Sequence, residues 1–543
     1  MSGYVNVETK FSDYFVLPNS NLRSMFGRIQ SGQPKEYRTR FYNPKDDVAK
    51  QKSLTEVLNN WISELESIKA KWPGMWNFEM DLAKKVGPLS VMKPLSERIS
   101  DIDSYYDSIL LESEPISKAA IVSVVKEWSQ VSGLRIRGQA RTVELMKKST
   151  SSGSPFYRKK KGVLKETAPC EVYPTFRDGY PDVTQELSSG TWKACAVLGW
   201  RGQEGGPSPD DVKQRVVFMF PFAVNIRELQ LYQPLIETAQ RFNLVPAWVS
   251  MEAVDRKITS LFDSKSSRDM IVCTDFTKFD QHFNSEMQSC TKQILRALMS
   301  SDEESSRWLE RVYPLKYNIP LAYEWGYIRY GAHGMGSGSG GTNADETLAH
   351  RALQYEAAMR RRKILNPNSM CLGDDGILTY PGITAKDVTD SYTAHGLEMN
   401  LDKQEESAQE CTYLRRYHHE RYRVGGICVG VYSTCRALGR LAEQERWYDE
   451  DIWGPEAVAL RQLSILENVK YHPLREQFVD YCMKGDRYRL GIDLPGFFDN
   501  LDEIAKKYTD LMPDFLGYTK SLQASAAEGI NNWWVVNYLK SKR

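Results

Sequence analysis

Met370-Cys371-Leu372-Gly373-Asp374-Asp375-Gly376-Ile377-Leu378 sets two adjacent carboxylates in a Gly-flanked turn between apolar runs. The pattern predicts a β-hairpin with the acids at its tip. Carboxylates held side by side raise each other's pKa unless a counter-charge is supplied. A hard divalent cation supplies one, because Mg²⁺ takes oxygen ligands, commonly one or two carboxylates together with substrate phosphates. Taken alone, Gly373-Asp374-Asp375-Gly376 also fits a solvated turn, since Gly and Asp are common turn residues.

The chain has 543 residues, enough for several hydrophobic cores. Hydrophobic residues at 41% and charged residues at 26% describe an ordinary globular protein. Lys+Arg 71 against Asp+Glu 70 leaves a net charge of +1, so any nucleic-acid footprint must be a local patch. Nine cysteines without a CxxC pair or a His/Cys cluster at zinc spacing predict free thiols, as in a reducing compartment. Met1-Ser2-Gly3-Tyr4-Val5 lacks the basic and apolar regions of a signal peptide. No apolar run reaches the ~20 residues of a membrane span.

Ile271-Val272-Cys273-Thr274 is a short buried-strand run that delivers Asp275 at its C-terminal end, with Asp280 following. Acids at the carboxyl ends of buried strands stand where α/β sites are built. A strand-terminating Asp with an N-cap behind it is the alternative. Gly334-Met335-Gly336-Ser337-Gly338-Ser339-Gly340-Gly341-Thr342 is too Gly-rich for regular structure and opens a helix. That helix ends in Arg360-Arg361-Arg362-Lys363, cations that complement the helix dipole. A mobile loop of this kind can present N–H groups and hydroxyls to a phosphate or a sugar. It is neither a P-loop nor a dinucleotide turn. Asn343-x-x-Glu346 has the spacing of a capping box.

Upstream, Thr150-Ser151-Ser152-Gly153-Ser154-Pro155 precedes Arg158-Lys159-Lys160-Lys161, which reads equally as a phosphate-approaching loop or a solvated linker. Lys213-Gln214-Arg215 enters a strand signal, so both cations project on one face, into a cleft or as a protected sheet edge. Downstream, Thr384–His395 reads as a helix with a Thr384-x-x-Asp387 cap and Gly396 as its stop. Lys403 follows in an irregular strand. Tyr413-Leu414-Arg415-Arg416-Tyr417-His418-His419 interleaves cations and aromatics, a pattern suited to phosphates and bases. The histidine pair, with no third ligand nearby, reads as polar surface.

Residues 1–45 predict an extended arm broken by Pro18, Pro34 and Pro44. Residues 53–72 predict a helix with a Ser53-x-x-Glu56 capping box, a stripe of Leu54, Leu58, Trp61, Leu65, Ile68 and Trp72, and a stop at Pro73-Gly74. Helical pattern covers Lys118–Gln130 and everything from Pro455 on. The apolar tail Trp533–Leu539 is expected to dock on its own body or a partner, occluding or lining a cavity.

In order, these segments resemble the motif series of viral RNA-dependent RNA polymerases over roughly residues 150–425. Thr150–Pro155 resembles motif G and Lys213-x-Arg215 motif F. Asp275-x4-Asp280 resembles motif A, Ser337-Gly338-x-x-x-Thr342 motif B and Gly373-Asp374-Asp375 motif C. Lys403 resembles motif D, and residues 411–424 resemble motif E. A free-standing polymerase of this size most resembles the picobirnavirus group, with the partitivirus group next.

The resemblance implies an α+β right-hand fold with fingers, palm and helical thumb. It implies an arm and helix at 1–80 bridging fingers and thumb, fingers at 81–258, palm with a fingers insertion at 259–425, and thumb and tail at 426–543. It implies RNA-directed RNA synthesis with two Mg²⁺ ions, or Mn²⁺, on Asp275 and Asp374 with Asp375 auxiliary. Lys403 is then the general acid, Lys213 and Arg215 hold the triphosphate, and Asp280, Ser337 and Thr342 select the ribose. Ser152, Gly153, Arg415 and Arg416 contact RNA. Implied partners are template and product RNA, ribonucleoside triphosphates and a capsid protein, with no membrane, in the virion interior or host cytoplasm. One departure stands out: many relatives carry Asn where this chain has Glu346. A reverse transcriptase, a nucleotide cyclase or a non-catalytic RNA-packaging protein are the rival readings.

Overall fold

The structure is a computed structural model describing residues 3–27, 53–445, 452–508 and 529–543. The part of the expected N-terminal arm at 28–45, with Pro34 and Pro44, lies outside these residues. The chain divides into two compact units of interleaved segments. The first comprises Met1–Gln30, Lys93–Trp200 and Val216–Cys411; the second comprises Ser31–Met92, Arg201–Arg215 and Thr412–Arg543.

In the first unit, a four-stranded sheet runs Met370–Leu372, Asp375–Leu378, Ile271–Thr274, Glu405–Ser407. Every pairing in it is antiparallel. Ile271–Thr274 is buried throughout, which explains its unbroken apolar run. Behind the sheet lies the helix Thr342–Arg360, buried on nearly all sides and packed against the helices Lys118–Glu127, Ser285–Leu298 and Ala385–Thr393. Its first turn is anchored by Asp345, wholly buried and 3.0 Å from the equally buried Lys316. Tyr232 and Tyr317 donate to the two Asp345 oxygens at 2.6 and 2.7 Å. A buried carboxylate tolerates this burial only because its oxygens are all engaged.

The N-terminal arm is not merely laid on the surface. Val5–Glu8 pairs antiparallel with Tyr327–Tyr330, and Phe11, Phe15, Leu22 and Phe26 enter a core with Val197 and Ile328.

The second unit is helical around one core. Ser53 caps Leu54–Leu65 by accepting from the Glu56 N–H, as its spacing predicts. Pro73 does not end that helical run as expected; it opens the next helix, Pro73–Ala83, because proline is preorganised for the first turn. Trp61 is fully buried and donates to Thr434 Oγ1 at 2.8 Å. The C-terminal helix Trp534–Lys540 docks on its own unit: Val535, Val536 and Leu539 are wholly buried in this core. Its first N–H groups, on Trp534 and Val535, donate to Glu467. The tail's apolar face is therefore spent on packing.

All nine cysteines are buried, and none is in a disulfide. No described helix is long and apolar enough to cross a membrane.

Candidate active site

Asp375 lies directly after the hairpin turn and pairs with Leu372. The neighbouring ladder aligns Gly376 with Thr274 and Ile377 with Cys273. One step further along that register, Asp375 stands across from Asp275. Side chains directly opposite on adjacent antiparallel strands are ~5 Å apart at Cβ, so the two predicted acids share one sheet edge. Asp374 occupies the turn, exposed like Asp275. Gly373 adopts φ +57°, the left-handed region, at the first loop position of the hairpin, where a side chain is strained.

The turn is held from behind by the Thr342–Arg360 helix. Thr347 Oγ1 accepts from the Gly373 N–H at 2.9 Å, and His350 Nδ1 lies 2.8 Å from the Gly373 carbonyl. His350 is wholly buried and its pKa is lowered to about 4 by that burial, so the neutral ring donates to the carbonyl. Thr347 and His350 are one helical turn apart and so share a face. No local sequence signal marks either residue, because their partner is 23 to 26 residues away.

Asp280 lies in the turn after Asp275, and its carbonyl accepts from the Met335 N–H at 2.8 Å, joining the acid turn to the glycine loop. The expected capping box at Asn343 and Glu346 does not form. The helix begins two residues earlier, with Gly341 as N-cap, and Asn343 Oδ1 accepts from Trp248 Nε1 at 2.8 Å. Glu346 instead faces Asp280. Burial first, and the Asp280 carboxylate next, push its carboxyl well above the usual range.

The glycine loop is pinned rather than mobile. Ser337 Oγ donates to Val216 O and accepts from Phe218 N, both at 3.3 Å. Thr342 Oγ1 faces the carbonyls of Gly336, Ser337 and Ser339. Gly340 N–H is taken by Glu228, which also accepts from Ser339 Oγ, while Asn225 Nδ2 donates to Gly338 O. A Cβ on Gly338 would stand 1.8 Å from Phe218 O, so only glycine fits there. The hydroxyls of Ser337 and Thr342 shape the loop, and Gly340's N–H is not presented to a phosphate as the sequence suggested.

Lys403 is exposed in a 3-10 turn, Leu401–Lys403, rather than in the irregular strand expected from sequence. Lys213 and Arg215 belong to the second unit and are both exposed, on the same face of Lys213–Met219. Ser152 and Gly153 are built into the loop itself. Ser152 is 1% exposed, with its hydroxyl accepting from Arg158 N, and Gly153 lies against Phe220 O. The exposed cations there are Arg158, Lys159 and Lys161.

In the second unit, Arg416 donates to Asn468 O and Oδ1 at 3.3 and 3.1 Å, which occupies its guanidinium with the end of a helix. Arg415 remains exposed. His418 and His419 are buried, not surface. Burial lowers the His418 pKa to about 4.

Among the described residues, no group of three or more His, Cys, Asp or Glu is arranged to hold a metal ion. A hard cation shared with a substrate phosphate needs only one or two carboxylates from the protein. The exposed Asp275 and the Asp374–Asp375 turn are oxygen donors of that kind on one edge, so the donor set fits such an ion.

An acid-bearing strand end beside an acid-tipped hairpin, backed by a helix that a glycine loop opens, is the palm of a right-hand polymerase. Residues 136–427 match the family model for viral RNA-dependent RNA polymerase, and the chain belongs to that family. It is 61% identical over 539 residues to the "Potential RNA-dependent RNA polymerase" of Human picobirnavirus (strain Human/Thailand/Hy005102/-), covering 98% of this chain and 99% of that one. The crystal structure of the RNA-dependent RNA polymerase of a human picobirnavirus matches with a TM-score of 0.90 at 58% identity, covering 98% of this chain and 99% of that one. The structure of an insertion loop deletion mutant of such a polymerase matches equally well. This chain is an RNA-dependent RNA polymerase, an enzyme that binds RNA and nucleotides.

Proposed function

We propose that the chain replicates and transcribes a segmented double-stranded RNA genome by two-metal nucleotidyl transfer. The observation that supports this most directly is the register that sets Asp275 against the Asp374–Asp375 turn. Asp275 and Asp374, with Asp375 auxiliary, would hold a pair of Mg²⁺ or Mn²⁺ ions, which would supply the positive charge that nucleotidyl transfer needs. Asp280, steered by Glu346, reads the ribose 2′-hydroxyl, the group that separates RNA from DNA precursors. Ser337 and Thr342 serve that selection by fixing the loop beside it. Lys213 and Arg215 bind the triphosphate, Arg215 by its bidentate fork. Lys403 delivers a proton to the leaving pyrophosphate. Arg415 and the exposed cations at 158–161 track the RNA backbone.

In this reading residues 1–80 are the bridging arm and helix, 81–258 the fingers, 259–425 the palm and 426–543 the thumb. The enzyme works in the virion interior or host cytoplasm beside a capsid protein. The test is primer-free synthesis on an RNA template, with NTPs and with dNTPs, by wild type, Asp374→Ala and Asp375→Ala. Wild type is expected to use NTPs, Asp374→Ala to be inactive and Asp375→Ala to retain part of the activity. Equal synthesis by wild type and Asp374→Ala would falsify the metal assignment, and efficient DNA synthesis would refute the ribonucleotide reading.

A further inference from the structure

Gln404 lies immediately after Lys403, and no motif includes it. Its side chain clasps the main chain of Asp275. Asp275 N–H donates to Gln404 Oε1 at 2.7 Å, and Gln404 Nε2 donates to Asp275 O at 2.9 Å. The same Nε2 donates to Asn400 O at 2.8 Å. The ladder explains the arrangement. Glu405 pairs with Cys273 in the antiparallel register of Glu405–Ser407 with Ile271–Thr274. Continued by two steps, that register would set the Lys403 main chain opposite Asp275. The backbone instead leaves the ladder and tightens into the Leu401–Lys403 turn, in which Lys403 N donates to Asn400 O at 3.1 Å. The primary amide of Gln404, with one acceptor oxygen and two N–H donors, replaces the missing peptide group at Asp275 and keeps its second donor for Asn400 O. One side chain thus satisfies both main-chain groups of the strand-end acid and closes the turn that carries Lys403.

We propose that Gln404 is a positioning residue that sets Lys403 against Asp275, locking the turn that bears the proton donor to the strand end that bears the acid. The inference rests on the polymerase roles proposed above for those two residues. A second tie, Thr277 N to Glu398 O at 2.9 Å, joins the same two segments through main chain alone, so substituting Gln404 leaves the fold one anchor there. Alanine removes all three bonds. Glutamate keeps the acceptor for Asp275 N–H and loses both donated bonds.

The test is single-nucleotide incorporation by the full chain on an RNA template, separating the maximal rate from the apparent Kd for the NTP. Gln404→Ala is expected to lower the rate at least ten-fold, with the NTP Kd, the RNA affinity and the thermal midpoint unchanged within two-fold or two degrees. Gln404→Glu falls between wild type and alanine, and serves alone if the alanine variant does not fold. In a Lys403→Met background, Gln404→Ala should change the rate less than two-fold, because the group it positions is gone. An equal loss in both backgrounds, a rise in NTP Kd at unchanged rate, or no loss at all overturns the proposal. If Lys403→Met alone keeps the wild-type rate, the role given to Lys403 fails and the clasp proposal with it. That result differs from a slow Lys403→Met beside a fast Gln404→Ala, which sinks the clasp only.

Discussion

The Asp275 and Asp374–Asp375 edge and the Tyr413–His419 segment both concentrate groups suited to polyanions or metals, yet they meet opposite fates. At the first, a buried strand and a two-residue hairpin carry Asp275 and Asp374 past the ends of their ladder, where both are exposed, with Asp375 half-buried at the last pair. At the second, the strand Arg416–His419 turns its residues inward. His418 lies against Cys428 O, Tyr417 enters the helical core, and Arg416 is consumed by Asn468. Composition is the same kind of signal in both places. What differs is whether the backbone ends or continues at the charged residue, because a residue beyond the last ladder bond has no neighbour to bury it.

Five perturbations test that contrast, in falling order of size. Removing residues 529–543 strips Val535, Val536 and Leu539 from the helical core. At about 1.5–3 kcal/mol for each fully buried side chain, it should cost about 5 kcal/mol or more, read by urea unfolding. Unchanged stability with altered initiation would instead make the tail a cavity element.

Asp275→Ala and Asp374→Ala should each cut RNA synthesis by at least about 10³-fold, close to 4 kcal/mol of barrier, without moving the unfolding midpoint. Asp375→Ala should cost clearly less in the same assay. A fall in stability matching the fall in rate would show the edge to be structural, like the second segment.

His350→Leu removes the bond that seats Gly373, leaving its carbonyl unpaired in a buried place. A loss of about 1–2 kcal/mol in stability and a ten-fold or greater loss of rate are expected together. Retained activity would mean that the hairpin holds itself.

Arg416→Ala should lower stability by about 1 kcal/mol while leaving RNA affinity and its salt dependence in place, measured by filter binding over a salt series. A reduced salt slope would return Arg416 to the RNA-binding surface and break the contrast.

The smallest effect per group concerns four buried histidines, two in each unit. Burial lowers His333, His350 and His418 to about 4 and His472 to about 3. A histidine whose folded pKa lies below its unfolded value of ~6.5 takes up its proton more readily in the unfolded chain. Stability is therefore full above pH ~6.5 and falls as the pH drops through 6.5 toward 4. Between pH 7.5 and 6 each histidine should cost under about 1 kcal/mol, seen as a shared decline in the urea midpoint. A flat profile would show that these rings are open to water.

The sequence by itself determined the local elements. The hairpin around Gly373, the strand delivering Asp275, the Ser53 cap and the Thr384 cap with its Gly396 stop all appear as predicted. It also made the family recognisable from the order of its motifs. The hairpin and the caps rest on interactions within a few residues, where spacing and residue type decide the outcome, and the strand is marked by its unbroken apolar run. Only the tertiary structure decided which way the charged and polar groups face. It showed Ser152 turned inward, the glycine loop tied to Glu228, Glu346 aimed at Asp280, and Gln404 standing in for a peptide at Asp275. Apart from the Ser152 hydroxyl, which bonds within its own loop, those outcomes depend on partners tens to more than a hundred residues away. A side chain that serves equally well in solvent, in a core or against a remote backbone carries no local mark of which it will meet.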